Sequence, residues 1–227
     1  MRELTNSVPK PMIAVRGKPI LRHIIDGLSA AGVREFLVVV GYRAEVVTKY
    51  LGDGAESGVS ISYATQVVQD GTGRVIELAR EFVAGEPSIL HYGDILVDPA
   101  NYESLVNLPD NVDAIVTVKA GEDCSKGGAV FVDNAMRVTD VLEKLSAESG
   151  QSGSLSQNTP FYNAGIYVFR ATIFDFTAQL RPSPRGEYEL TDVIREMAQS
   201  GNVVALELKG SWADVRDPEV LAALNSE

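Results

Sequence analysis

The chain has 227 residues, 45% of them hydrophobic and 22% charged, with a formal net charge of −11 and a pI near 4.7. That balance suits a globular fold with a sizeable buried core, and a single domain over residues 1–227 is the expectation. It leaves no broad basic face of the kind a nucleic-acid backbone or an anionic membrane requires.

The N-terminal stretch places Lys10 between Pro9 and Pro11. Two prolines remove conformers, so this lysine is either presented on a stiff segment suited to a polyphosphate or is a solvated surface residue. From Pro19 to Ala31, Ile20, Ile24, Ile25, Leu28 and Ala31 recur three and four apart, which predicts an amphipathic helix closed by Gly32. Phe36 to Val40 is an unbroken apolar run, as in a strand covered on both faces. A helix over Glu45 to Leu51 and a strand over Gly58 to Ala64 follow.

Gly71-Thr72-Gly73 opens the next expected helix, which runs to Val83 with Val75, Leu78, Ala79 and Phe82 inward. Free N–H groups at such a helix start suit anions or base edges, although a tight turn alone explains the glycines. "SILHYGD" reads as a buried strand with Asp94 just past its end, where a carboxylate can ligate Mg²⁺ or cap the next segment. Pro99 to Val106 is expected to be helical, and "DAIVTVKA" to be a strand.

The second half changes texture. "GGAVFVD" and "MRVTDVLEK" flank Asp133-Asn134 as an antiparallel hairpin. Ser146 to Pro160 is rich in Ser and Gly and reads as a loop, either lid or linker. "NAGIYVF" is a strand, Tyr188 to Ser200 a helix, "VVALEL" a strand, and Asp217 with Pro218 starts a last helix. A second carboxylate, Asp214, follows the last strand. Two such acids at the ends of different strands form a plausible clamp on one metal ion. Glu143 and Asn163 fall at strand boundaries and can hydrogen-bond sugar hydroxyls, or be a surface ion pair and a turn residue. His23 and His91 read as structural, and no His/Cys cluster offers a zinc site. Strand-helix alternation predicts an α/β fold with ligands at the C-terminal ends of parallel strands.

Cys124 is the only cysteine, which rules out an internal disulfide and fits a reducing compartment. No apolar run reaches the roughly 18 residues of a membrane span, and the start lacks a charged-then-apolar leader, so the cytoplasm is expected.

Taken in order, PKPM at 9–12, GKPIL at 17–21, Gln66 with Gly-Thr at 71–72, YGD at 92–94, Gly128, EK at 143–144, NAGIY at 163–167, GEYELTD at 186–192 and W-x-D at 212–214 resemble the sugar-1-phosphate nucleotidylyltransferases. The resemblance implies a Rossmann-like, GT-A-like three-layer sandwich with a mostly parallel sheet and a small antiparallel hairpin lobe. It implies a nucleoside triphosphate, UTP or dTTP, and a hexose 1-phosphate as partners, with NDP-sugar and pyrophosphate as products. Lys10 would be catalytic, contacting the reacting phosphates. Gln66, Gly71 and Thr72 would read base and ribose, and Asp94 and Asp214 would hold Mg²⁺. Glu143 and Lys144 would contact sugar and phosphate, with Gly128 and Asn163 bordering the hexose. Self-association stays open.

Family members begin with a strand and a loop of the form L-A-A-G-x-G-T-R before a stretch like the one at Met1. A chain starting after that arginine is expected to be inactive or poorly folded. Leu145 stands where the family's EKP has Pro, and Gly127 where Tyr often precedes Gly128. A non-catalytic nucleotide-sugar-binding or regulatory protein of the same fold is the alternative. A glycosyltransferase is disfavoured because Asp94 and Asp98 do not make an Asp-x-Asp pair.

Overall fold

The structure, a computed structural model, describes residues 8–124, 127–143, 159 and 161–226. The elements in chain order are a 3₁₀ turn at Lys10–Met12, β1 (Ala14–Val15), β2 (Lys18–Pro19), α1 (Ile20–Ala30), β3 (Glu35–Val40), α2 (Ala44–Leu51) and β4 (Ser60–Thr65). Next come α3 (Thr72–Glu77), α4 (Arg80–Val83), β5 (Ser88–His91), β6 (Ile95–Val97), a 3₁₀ helix at Pro99–Ser104, β7 (Ala114–Ala120), β8 (Ala129–Val132) and β9 (Val138–Leu142). The chain continues through β10 (Phe161–Phe169), α5 (Ile173–Thr177), α6 (Leu190–Ala198), β11 (Val203–Glu207), β12 (Trp212–Asp214) and α7 (Pro218–Ser226). No helix among the described residues is long and apolar enough to cross a membrane.

Two compact units emerge. The first comprises Met1–Gln69, His91–Val106 and Lys209–Glu227. Here β3 and β4 pair in parallel, in register from Glu35 opposite Ser60 to Val40 opposite Thr65. Ile25 of α1 and Val47 and Leu51 of α2 bury against Val40, Val59 and Ile61, and Phe36 and Val38 join this cluster. The expectation that β3 is covered on both faces is not met: Phe36 to Val39 are only half-buried, in a sheet of two strands. Short β6 and β12 pair antiparallel, with Asp214 opposite Ile95.

The second unit comprises Asp70–Leu90 and Asn107–Leu208. Its sheet runs β11-β7-β10-β8-β9, with β5 also on β10. The sheet is mixed: β11 is parallel to β7, whereas β10 is antiparallel to both β7 and β8. The expected hairpin is present as β8–β9, turning through Asp133, whose Oδ1 accepts from the Ala135 and Arg137 N–H groups. Helix α6 lies against β9, tied by Arg195, which donates to Asp140 Oδ1 at 2.7 Å and to the Val141 carbonyl at 2.6 Å.

The single helix expected to run to Val83 is instead two. At Leu78 and Ala79 the bonding tightens to the carbonyls of Val75 and Ile76, three residues back, which shifts the phase of the face. Gly73, Ile76 and Val83 therefore point inward, and Leu78 and Phe82 are exposed. The helix expected from Tyr188 starts at Leu190, and the short α5 carried no sequence signal. The loop read at Ser146 to Pro160 lies outside the described residues, Thr159 apart.

Strand β10 is irregular between Asn163 and Tyr167, where Gly165 sits at φ +80°. The fully buried Thr117 hydroxyl fills the gap in the ladder, donating to the Ile166 carbonyl at 2.7 Å and accepting from the Ile166 N–H at 3.2 Å. Thr117→Val leaves both groups without that partner. The expected destabilisation is about 1–3 kcal/mol, read from urea midpoints.

Candidate active site

Three of the residues singled out in the sequence meet in the first unit. Lys10 Nζ lies 2.5 Å from Asp94 Oδ2 and 3.4 Å from Asp214 Oδ1. Each of the three side chains keeps 20–30% of its surface exposed, so the cluster is reachable.

Local chain chemistry explains the convergence. Pro9 is buried and opens the 3₁₀ turn, whose Met12 N–H bonds back to the Pro9 carbonyl. A Cβ on Gly93 would stand 2.9 Å from Pro11 Cγ, so glycine lets the Pro-Lys-Pro segment lie directly on the Tyr92–Asp94 turn. Asp94 and Asp214 are joined through the backbone as well: the Val215 N–H donates to the Asp94 carbonyl at 2.9 Å.

Buried Asn101 staples the loop entering β12, with Nδ2 donating to the Asp98 and Lys209 carbonyls and Oδ1 accepting from the Lys209 N–H. Gly210, at φ +66°, then turns tightly against Asp98. Burial pushes the Asp214 carboxyl above its usual range; Lys10 and Arg216 pull it down and Asp94 pushes it further up. Two carboxylates so placed repel by about 4 kcal/mol at 4 Å and an effective dielectric of 20. They therefore call for a cation, and an ammonium already sits on them. This donor set fits Mg²⁺, which takes one or two carboxylates and completes its shell with water and phosphate oxygens.

His91 fixes the same turn from below. Its Nδ1 lies 2.8 Å from the Tyr92 carbonyl, and its Nε2 lies 3.0 Å from the hydroxyl of buried Tyr102. The neutral ring donates through Nδ1 and accepts the Tyr102 O–H. Burial pulls its pKa down to about 4, against smaller upward pulls from the Tyr92 carbonyl and Asp94. The sequence reading of a satisfied structural histidine agrees with these contacts, but not its partner, since nothing in the sequence links positions 91 and 102.

Gln66 also belongs to the first unit, at the end of β4, where its N–H donates to the Val40 carbonyl. Gly71 and Thr72 belong to the second. Gly71, at φ +120°, has the Tyr188 backbone where a Cβ would be, and Gly73 N–H donates to the Tyr188 carbonyl at 2.7 Å. Tyr188 N–H donates in turn to the Asp70 carbonyl, and the Leu190 N–H donates to Thr72 Oγ1 at 3.3 Å. Arg74 lies over the Tyr188 ring, 4.2 Å from its centre. The GEYELTD segment is thus the clamp that shapes the Gly71–Gly73 loop, a role the sequence did not reveal.

Gly128 leads into β8, Glu143 follows β9, and Asn163 lies on β10, which pairs with β8. Asn163 N–H donates to the Gly128 carbonyl, and Ala129 pairs with Leu142. Asn163 Oδ1 accepts the Tyr167 hydroxyl at 2.8 Å. Desolvation raises the Glu143 carboxyl; the Thr191 hydroxyl and Arg185 lower it, and Glu189 and Asp192 raise it. Arg185 pairs with buried Glu189 at 2.7 Å. Lys144 lies outside the described residues. Gly127 is glycine because the Tyr162 hydroxyl occupies the place of a Cβ.

The model of the family described as nucleotidyl transferase matches residues 1–227. The "Bifunctional protein GlmU" of Methanococcus aeolicus is 32% identical over 223 residues, covering 98% of this chain; the chain spans 50% of that relative's length. The "UTP--glucose-1-phosphate uridylyltransferase AglF" of Haloferax volcanii is 31% identical over 224 residues, covering 96% of this chain and 87% of the relative. A crystal structure of a UDP-glucose pyrophosphorylase complexed with UDP-glucose superposes with a TM-score of 0.82 at 19% identity, over 96% of this chain and 89% of that one, which shows a common fold.

The depressed His91 pKa predicts a pH effect. The unfolded chain takes up this proton near pH 6.5 and the folded one only near 4. The stability contributed by the neutral ring is complete above about pH 6.5 and is lost as pH falls toward 4. Between pH 7 and 4.5 the wild type should lose on the order of 2 kcal/mol more than His91→Gln in urea melts.

Proposed function

Because the chain belongs to the nucleotidyl transferase family, we propose that it transfers a nucleotidyl group from a nucleoside triphosphate, UTP or dTTP, to a hexose 1-phosphate. The products are an NDP-sugar and pyrophosphate. The observation that carries this reading is the meeting of Lys10, Asp94 and Asp214 at one point.

The sugar phosphate is already anionic near neutral pH, so its oxygen needs no strong general base. It forms a bond to the α-phosphorus while the α–β bridge bond breaks, and pyrophosphate leaves with the electron pair. The obstacle is the approach of one anion to another. A divalent ion, here Mg²⁺, held by Asp94 and Asp214, would neutralise phosphate charge. Lys10 would contribute its ammonium at the reacting phosphate, where developing charge is greatest. The stiff Pro-Lys-Pro turn keeps that ammonium in place at low entropic cost. Gln66, Gly71 and Thr72 would recognise the base and ribose. The Thr72 hydroxyl already accepts a bond from the Leu190 N–H, so its part would be played through its remaining lone pair or its backbone. Gly128, Glu143, Lys144 and Asn163 would border the hexose 1-phosphate.

A pyrophosphate-release assay with UTP or dTTP, glucose 1-phosphate and Mg²⁺ tests the reading. Asp94→Asn should lower kcat by at least about 100-fold, as expected on removing a major electrostatic stabiliser. A variant within a few-fold of wild type would remove Asp94 from the site. A wild-type protein that binds both substrates without turnover would be the non-catalytic alternative.

A further inference from the structure

We infer that Lys10 occupies the cation seat of the free protein and must leave it before a divalent ion can enter, so that metal loading is coupled to triphosphate binding. The inference rests on the functional reading above and adds an order of events to it.

The argument starts from where the ammonium sits. Lys10 Nζ touches one oxygen of each acid, Asp94 Oδ2 and Asp214 Oδ1, the two residues that would hold the metal. An ammonium and a divalent ion cannot share that point: both are positive, and both need the same carboxylate oxygens. The backbone leaves little room for the acids to part, since Val215 N–H binds the Asp94 carbonyl and Asp214 pairs with Ile95. The lysine is the movable member. Its four-carbon stem rotates, whereas its own backbone is held between Pro9 and Pro11.

Arg216, 3.4 Å from Asp214 Oδ2, already takes the outer oxygen of that acid, so a metal cannot bypass Lys10 by moving to the far side of Asp214 without competing with a second cation. A free divalent ion therefore meets a seat that is neutralised in advance. A triphosphate changes the balance, because it offers the lysine new anionic partners and brings oxygens that complete the metal's shell. By linkage, the metal and the triphosphate each strengthen binding of the other, through one lysine side chain that changes partners.

Mn²⁺ titration of the nucleotide-free protein, followed by the electron paramagnetic resonance of free Mn²⁺, tests this without reference to turnover. Lys10→Gln should bind Mn²⁺ at least about tenfold more tightly than wild type, and Lys10→Arg, which keeps a cation there, should stay within about threefold of wild type. Asp94→Asn should bind weakly in either background. Mn²⁺ should also raise the melting temperature of Lys10→Gln more than that of wild type, because the metal replaces the missing counter-charge.

Equal or weaker Mn²⁺ binding by a folded Lys10→Gln would overturn the inference. So would a Lys10→Gln that stays unfolded when Mn²⁺ is supplied. Wild-type protein that lacks pyrophosphate release but shows the tighter Mn²⁺ binding in Lys10→Gln would sink the enzymatic reading and leave the lysine-for-metal exchange standing.

Discussion

Two like charges held face to face are the constraint around which the first unit is arranged. Asp94 and Asp214 come from segments 120 residues apart in sequence, yet the β6–β12 ladder and the Val215–Asp94 bond fix them as neighbours. Left alone, such a pair would open or take up a proton; the Asp214 carboxyl is pushed up chiefly by its burial, and the charge of Asp94 adds to that push. Its resolution comes from a third segment. Pro9 and Pro11 deliver one ammonium, and glycine at 93 clears the path for it. Asn101 and Gly210 then shape the entry to β12 so that the second acid arrives in register.

The second unit solves a different problem, that of holding a glycine loop in one shape. Gly71 has a conformation and a neighbour that no side chain tolerates, and the Tyr188 backbone takes the space. Three bonds across Asp70, Thr72, Gly73, Tyr188 and Leu190, with Arg74 stacked over the ring, close the arrangement. Further along, Arg195 fastens α6 to β9, and Thr117 completes the ladder beside Asn163. Of the described residues bordering the expected hexose site, Asn163 thus stands on a strand, and Gly128 and Glu143 flank the paired ends of β8 and β9.

Much of this was legible from residue pattern. Helix α1 announced itself by threefold and fourfold spacing, β3 by its apolar run, and the β8–β9 hairpin by Asp133-Asn134. The acids were legible as candidates because each follows a strand. Their meeting was not, since β6 and β12 are three residues each and carry no pairing signal of their own. Periodicity misled where the bonding changed pitch: the tightened turn at Leu78 sends Phe82 outward and Val83 inward. Leucine and phenylalanine look like core, and only the helix phase decides. The parallel alternation in the first half likewise gave no hint that β10 would lie antiparallel between β7 and β8, because a strand's direction is set by its connections. The resemblance gave Thr72 to a ligand; the fold gives its hydroxyl a bond from the N–H of Leu190 at the start of α6 as well.

The Gly127–Tyr162 contact has an evolutionary corollary. Because the phenol sits where a β-carbon at 127 would go, a side chain at 127 requires the Tyr162 ring to move. Enlarging 127 demands that 162 shrink or swing away first, and shrinking 162 while 127 stays glycine opens a void beside Gly128. The two positions are thus coupled through one ring, and a change at 127 is read together with the placement of Tyr162. A library that varies them jointly would sample pocket shapes that one-at-a-time mutagenesis discards.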